Sequence, residues 1–137
     1  MASKQYRRFF VTIQNPVHLY GSPLLPGERL LTLVSFPGLV YIAQSPLEKG
    51  TTLHVHLVLM FDPQHKMTFK KLRGLLLPYA GKGGVSHEEL KGSREDVEDY
   101  FLKKGKKFEE KKKTQVFGGE SFIVGVWSEK AKEKGMI

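Results

Sequence analysis

The chain has 137 residues, the usual length of one domain and enough to bury a hydrophobic core. It contains no cysteine, which excludes disulfides, thiolate metal sites and a cysteine nucleophile, so any metal must be bound by nitrogen and oxygen ligands. Lysine and arginine number 22 against 14 acidic residues, for a net charge of +8. This balance favours a polyanionic partner, nucleic acid before an anionic membrane surface, although a basic surface can also have no partner. No apolar run approaches the roughly 20 residues of a membrane span and the N-terminus lacks a signal-peptide core, so we expect a soluble intracellular protein.

Alternating β-branched and aromatic residues predict strands, and apolar residues at helical spacing predict helices. In chain order the pattern predicts strands over 7–14, 39–44 and 53–61, an edge strand over 85–90, a last strand within 121–127, and helices over 28–36 and 69–77. A third helix begins at Ser93, with Asp96 in the reciprocal position of a capping box, and Thr68 is expected to cap the helix over 69–77. The order predicts an α+β fold, a central antiparallel sheet with flanking helices, related to the split βαβ (ferredoxin-like) arrangement.

The apolar segment over 53–61 carries two histidines near its start, His54 and His56. Side chains alternate along a strand, so this histidine pair points to one side with its backbone positions roughly 7 Å apart. Two imidazoles at this spacing can bind one metal ion. Because two such histidines more often face water or satisfy local hydrogen bonds, the metal hypothesis needs a second reactive group nearby.

Tyr100 provides such a group on the last predicted helix. Positions three and four residues apart are neighbours on a helix surface, so Tyr100 shares a face with Lys103 and Lys104. A phenol has a pKa of about 10 and becomes a useful nucleophile when cations stabilise the phenolate or a metal activates the target. A metal on the histidine pair would polarise a phosphate while the tyrosine attacks it, giving a covalent link to DNA. The alternative is a half-buried helix tyrosine with its hydroxyl at the surface.

Three motifs occur in order along the chain: Val11-Thr12-Ile13-Gln14-Asn15-Pro16, His54-Val55-His56 and Tyr100-Phe101-Leu102-Lys103. Together they resemble the three signatures of the HUH replication initiators (Rep) of small circular single-stranded DNA viruses, circovirus-type most closely, over about residues 7–119. The resemblance implies an HUH endonuclease domain over 1–119 and a C-terminal segment over 120–137 that leads to a helicase domain. No phosphate-binding GxxxxGK(S/T) loop occurs, so we expect the isolated nuclease part.

The resemblance also implies the metal ligands, and Mn²⁺ or Mg²⁺ as the metal. His54 and His56 match two of them. The family's third ligand is an acidic residue at the end of the preceding strand, where this chain has Gln44, whose uncharged amide is expected to bind metal less tightly. We prefer Gln44 because strand pairing would bring it beside the histidines. Glu48, in the following loop, is the alternative.

The implied activity is that of a sequence-specific single-stranded DNA endonuclease and nucleotidyltransferase that initiates rolling-circle replication. Tyr100 matches the nucleophile, and Lys103 matches a lysine that orients DNA or assists charge development at the phosphate. Such an enzyme nicks an origin stem-loop, keeps the 5′ phosphate on Tyr100, releases a 3′ hydroxyl for priming and later rejoins ends. It works in the host nucleus if viral, or in the cytoplasm if plasmid-encoded. A longer form of the protein could also form an oligomer.

Basic and polar side chains are expected to bind the DNA. The expected DNA-binding residues are Arg7, Arg8, Thr12, Gln14, Asn15, Lys70, Lys71 and Lys104. Phosphate contacts would make binding strongly salt-dependent, and aromatic residues would stack on unpaired bases. For the polar residues of the first motif, strand packing and turn chemistry are an equal alternative, and His87 and Glu88 are weaker candidates. The rival function is a non-catalytic single-stranded DNA or RNA-binding module that uses Phe9, Phe10 and the basic face.

Overall fold

A computed structural model describes residues 4–19, 21–49, 52–81, 84–90, 92–102 and 121–127. Within these residues the chain forms a six-stranded antiparallel sheet and two α-helices. The strands are β1 (Arg8–Gln14), β2 (Leu39–Gln44), β3 (Glu48–Lys49), β4 (Leu53–Phe61), β5 (Val85–Glu89) and β6 (Phe122–Gly125), and the helices are α1 (Phe69–Leu76) and α2 (Arg94–Leu102). The predicted class, α+β with a central antiparallel sheet and flanking helices, is confirmed.

β4, the strand with the histidine pair, is at the centre of the sheet. The strand order is β5-β1-β4-β2-β6, and the short β3 also pairs with β4. β1 places Thr12 opposite His56 and Gln14 opposite His54, while β3 places Glu48 opposite His54. Directly paired residues point to the same face of a sheet. The register therefore gathers polar side chains from three strands on one face.

Alternation along β4 divides the core into two layers. On one face, Leu57 packs against α1 and the loop between β1 and β2. Val55 and Leu59, two positions away on either side, belong to the same layer. On the other face, Val58 and Met60 pack with Val97 and Phe101 of α2. The histidine pair has the same parity as Val58. Consequently α2 covers the face of the sheet that carries the histidines.

Both predicted helix caps are confirmed. Thr68 Oγ1 accepts a hydrogen bond from the Lys71 N–H at 3.1 Å and so begins α1. At α2 the Ser93 N–H donates to Asp96 Oδ2 at 3.0 Å and the Asp96 N–H donates to Ser93 Oγ at 3.2 Å, the reciprocal pair of a capping box. Neither helix, nor any other in the described part of the chain, is long and apolar enough to cross a membrane.

The predicted helix over 28–36 is wrong, because the chain forms turns there. Leu30 is buried whereas Val34 is 91% exposed, so the apolar residues do not form one buried stripe. The Leu30 N–H donates to the side chain of Gln44, and the Thr32 N–H donates to Ser35 Oγ. Side chains thus satisfy backbone groups that a helix would have paired.

The Tyr41 hydroxyl is buried on the face of the sheet that α2 covers. The Tyr41 ring meets Trp127 edge to face, with 5.2 Å between ring centres, and burial raises the pKa of Tyr41 to about 12. Among the described residues this hydroxyl has no hydrogen-bond partner. Because an unpaired buried hydroxyl costs free energy, we expect Tyr41→Phe to raise the free energy of unfolding by about 1 kcal/mol in urea denaturation. A loss of similar size would instead mean that the hydroxyl is hydrogen-bonded in solution.

Candidate metal centre

Glu48, His54 and His56 converge at one end of the sheet. β3 sets Glu48 directly opposite His54, and His56 follows two positions along the same face of β4. Glu48 Oε1 lies 3.7 Å from His54 Nε2 and 3.9 Å from His56 Nε2. One ligand atom from each of the three residues lies within 4.8 Å of the others. Two imidazole nitrogens and a carboxylate oxygen this close together form a candidate site for a divalent metal.

The second ring nitrogen of each histidine already has a partner. His54 Nδ1 donates to the Thr52 carbonyl oxygen at 3.1 Å, and His56 Nδ1 lies 2.9 Å from Thr12 Oγ1. In a neutral imidazole whose Nδ1 carries the proton, Nε2 is the nitrogen that can bind a metal, and in both histidines Nε2 is the nitrogen that lies near Glu48. Gln14 extends this support, since its Oε1 accepts a hydrogen bond from the Thr52 hydroxyl. Thr12 and Gln14, expected to contact DNA, therefore hold the two histidines in place.

Glu48 is deeply buried, with 2% of its surface exposed. An ionised carboxylate in such a position needs compensating positive charge, because burial removes its hydration. Within the cluster, the Nε2 atoms of His54 and His56 lie 3.7 Å and 3.9 Å from its Oε1. A divalent cation between these three atoms would supply the charge, so the donor set fits a metal.

Gln44 is not part of this cluster, and the expectation that it is the third ligand is wrong. It pairs with Leu57 of β4, so its side chain lies on the face opposite to the histidine pair. Its amide instead holds the loop before β2: Oε1 accepts from the Leu30 N–H at 2.8 Å and Nε2 donates to the Glu28 carbonyl at 2.9 Å. The alternative ligand, Glu48, occupies the position beside the histidines.

Tyr100 lies beside the histidine pair on the same face of the sheet. α2 packs Val97 and Phe101 into the core, and Tyr100 is half-buried against this core layer. The Tyr100 ring centre is 6.1 Å from that of His56 and 5.7 Å from that of Phe10. Burial, and to a smaller extent the charge of Glu48, raises the pKa of Tyr100 to about 12. Tyr100 is therefore a protonated phenol at neutral pH whose ionisation is coupled to the charge of the cluster.

Of the expected lysines, the two that the structure describes, Lys70 and Lys71, do not lie at this site. Lys103 and Lys104 lie outside the described residues, so their predicted roles stay predictions. Lys70 and Lys71 are on α1, which packs against the face of the sheet opposite to Tyr100. A strand of DNA held at Tyr100 would have to pass around the sheet to reach them.

The remaining expected DNA contacts lie at the ends of β1. Arg7 and Arg8 are at its start, where Arg7 Nε donates to the Phe61 carbonyl at 3.0 Å and the Arg8 guanidinium lies over the Trp127 ring. Asn15 follows the end of β1 with a φ of 47°, and its N–H donates to the carbonyl of Leu53. Arg8 thus lies four residues along β1 from Thr12, the residue that pairs with His56.

Three further residues, Phe10, Thr52 and His87, lie outside the three sequence motifs, and the first two contribute to the site. Phe10 contacts the cluster, with its ring centre 5.5 Å from that of His56, and its parity with Thr12 in β1 is a signal that would have placed it there. Thr52 contributes through its backbone carbonyl oxygen. A backbone contact of this kind cannot be predicted from a pattern of side chains. His87 turns to the α1 face, where it stacks on Phe69 with 4.7 Å between ring centres, away from the cluster.

One face of the sheet thus combines a candidate divalent metal site with an adjacent tyrosine. A metal can polarise a phosphate or carbonyl oxygen, and a phenol next to it can act as the nucleophile. Comparison of the chain with protein-family models and with curated proteins finds no match. The features of this chain that bear on its function are therefore the order of the three motifs and the geometry of this site.

Proposed function

We propose that this chain is a metal-dependent single-stranded DNA endonuclease and strand transferase of the HUH replication-initiator type, with Tyr100 as its nucleophile. The observation that carries the proposal is the position of Tyr100, whose ring centre is 6.1 Å from that of His56 in the cluster with Glu48 and His54. The order of the three sequence motifs supports the same combination of a histidine metal site with a tyrosine nucleophile. The net charge of +8 suits a DNA substrate.

Glu48, His54 and His56 would hold the metal, and two imidazole ligands favour Mn²⁺ over Mg²⁺, which prefers an all-oxygen shell. When bound, the cation would supply Lewis acidity to a phosphate oxygen and offset the Glu48 charge that contributes to the raised pKa of Tyr100. Thr12 and the Thr52 carbonyl keep the histidine Nε2 atoms directed at the cluster. In this step the protein's own residues orient the metal-binding atoms of Glu48, His54 and His56.

Tyr100 supplies the covalent chemistry in this proposal. Its phenolic oxygen attacks phosphorus, the bond from phosphorus to the 3′ oxygen breaks, the phenol loses its proton and the 3′ oxygen gains one. The 5′ phosphate then remains on Tyr100 as a diester, and the free 3′ hydroxyl can prime synthesis. Attack by a 3′ hydroxyl on this diester reverses the step and rejoins two ends. The packing of α2 holds the phenol beside the cluster throughout.

The proposal predicts a covalent adduct that depends on the Tyr100 hydroxyl. The full chain is incubated with Mn²⁺ and a pool of randomised single-stranded oligonucleotides labelled at the 3′ end, because the 3′ fragment stays on the protein. Tyr100→Phe keeps the ring contacts with Phe10 and His56 but removes the nucleophile, so we expect the labelled adduct on a denaturing gel to fall by roughly 10³-fold or more. Tyr79→Phe, the same change in a ring that packs on Phe36 in the other core layer, should keep the adduct.

Two results would contradict the enzyme. One is an adduct of equal yield in Tyr100→Phe, and the other is an adduct of equal yield in the presence of a chelator. A shift on native gels with no adduct under any metal would favour the rival function, a non-catalytic single-stranded nucleic acid-binding module.

A further inference from the structure

A groove follows the edge strand β5 and its neighbour β1, from Thr12, which contacts His56, to the start of β1. It consists of three adjoining depressions. The first, of about 250 Å³, lies beside Phe10, Thr12 and Glu88. The second, of about 330 Å³, shares Phe10 and Glu88 with the first, and shares Glu89 and Leu90 with the third, of about 390 Å³, at the start of β1. We call this continuous surface the β1–β5 groove.

Phe10 forms the floor of the groove next to Tyr100. Phe10 is partly exposed, and its ring centre lies 5.7 Å from that of Tyr100 and 5.5 Å from that of His56. An aromatic surface of this kind can stack on an unpaired base of any sequence. A base stacked there would belong to a nucleotide close to the phosphate that Tyr100 attacks.

The far end of the groove is basic. Its third depression is lined by Lys4, Arg7, Arg8 and Lys66, against a single carboxylate from Glu89. Lysine and arginine at such a place supply phosphate contacts, which position a strand without reading its sequence. From Thr12 to Arg8 the strand covers roughly 14 Å, at about 3.4 Å per residue, a distance that a few nucleotides of extended single strand can cover.

We propose that the β1–β5 groove binds the single nucleic acid strand that flanks the reacting phosphate. The neighbouring base stacks on Phe10, and a more distant phosphate binds at the basic end. Glu88 stands directly opposite Phe10 in the strand register, on the same face, and a carboxylate accepts hydrogen bonds from exocyclic amino groups. The base on Phe10 is therefore one with an exocyclic amino group, such as cytosine, in preference to thymine. This inference rests on the proposed function and adds the path of its substrate.

The test separates binding from chemistry by working in EDTA. Fluorescence anisotropy measures the affinity of the full chain for labelled oligo-dC and oligo-dT of equal length. Phe10→Ala should lower the affinity for oligo-dC roughly tenfold, whereas Phe10→Trp, which keeps a stacking surface, should preserve it. Glu88→Gln should reduce the preference for oligo-dC over oligo-dT several-fold.

Charge reversal tests the basic end. Lys66→Glu should weaken binding and lower the slope of log affinity against log salt by about one. Arg73→Glu is the matched control, because it makes the same net charge change at an exposed position on α1, in the other layer, and should leave the slope unchanged. Thermal unfolding of each variant confirms that it is folded.

The outcomes distinguish the groove from the enzyme. If Phe10→Ala and Lys66→Glu bind like the unaltered chain while the Tyr100-dependent adduct still forms, the groove assignment is overturned and the proposed function stands. If binding depends on Phe10 and Lys66 but no adduct forms with any metal, the groove is supported and the nuclease is not. Equal affinity for duplex and single strand, unaffected by Phe10→Ala, also overturns the groove.

Discussion

Replacing Glu48 with Gln is expected to weaken Mn²⁺ binding by about 100-fold or more while the fold is retained, a loss at least as large as that from removing a residue that only orients a ligand. The substitution keeps the shape of the side chain but removes the negative charge that lies 3.7 Å and 3.9 Å from the two imidazole Nε2 atoms. Isothermal titration of the chain with Mn²⁺ measures the loss. Thermal unfolding of the metal-free variant checks that the fold is retained.

Gln44→Ala is the control for this result. Gln44 accepts from the Leu30 N–H and donates to the Glu28 carbonyl on the other face of the sheet, so its loss should lower the free energy of unfolding by about 2 kcal/mol and leave Mn²⁺ affinity unchanged. The reverse pattern, with metal binding lost in Gln44→Ala and kept in Glu48→Gln, would show that the cluster around Glu48 is not the metal site.

Gly125→Ala is expected to cost roughly 3 kcal/mol of unfolding free energy, through backbone strain and steric overlap together. Gly125 has a φ of 96°, and a Cβ at this position would lie 2.1 Å from the Val40 carbonyl oxygen and 2.9 Å from Tyr41 Cα. Both contacts are with the backbone of β2, which cannot move aside as a flexible side chain does. Urea denaturation at equilibrium measures the change.

Gly74→Ala should instead raise the free energy of unfolding. Gly74 lies within α1, and a Cβ there would meet nothing within 4 Å. Alanine costs less conformational entropy than glycine in a helix, so we expect a gain of about 0.5–1 kcal/mol. If Gly125→Ala is as well tolerated as Gly74→Ala, the close approach of β6 to β2 does not exist in solution.

Local sequence signals predicted most of the sheet and both helix starts. Thr68 and the pair Ser93 and Asp96 cap their helices as predicted, because capping depends only on residues within one turn. Strand alternation likewise predicted that His54 and His56 share a face. These features need no knowledge of where distant parts of the chain lie.

The third ligand could not be predicted in this way. A two-residue strand such as β3 has no periodicity, so the loop after β2 gave no sign that Glu48 pairs with His54. The face on which Gln44 lies depends on the register between β2 and β4, which shifts by one residue between Leu39 and Tyr41. A shift of one residue turns a side chain to the other face of a sheet.

The predicted helix over 28–36 failed for a related reason. Its leucines are apolar at helical spacing, but the backbone of Leu30 is held by Gln44, which is distant in the sequence. Tertiary hydrogen bonds of this kind override a local preference, and a short window of sequence does not contain them.

The three candidate metal donors lie within residues 48–56, on a single hairpin of β3 and β4. Bringing them together requires closure of a short loop, which costs little chain entropy, whereas the phenol of Tyr100 arrives from a helix that docks across a long sequence separation. Metal binding at the candidate site would therefore require only the β3–β4 hairpin and the neighbouring strand β1. Under the proposed function the complete centre also needs α2, so a defect confined to the docking of that helix would leave the candidate metal site intact and remove the proposed nucleophile.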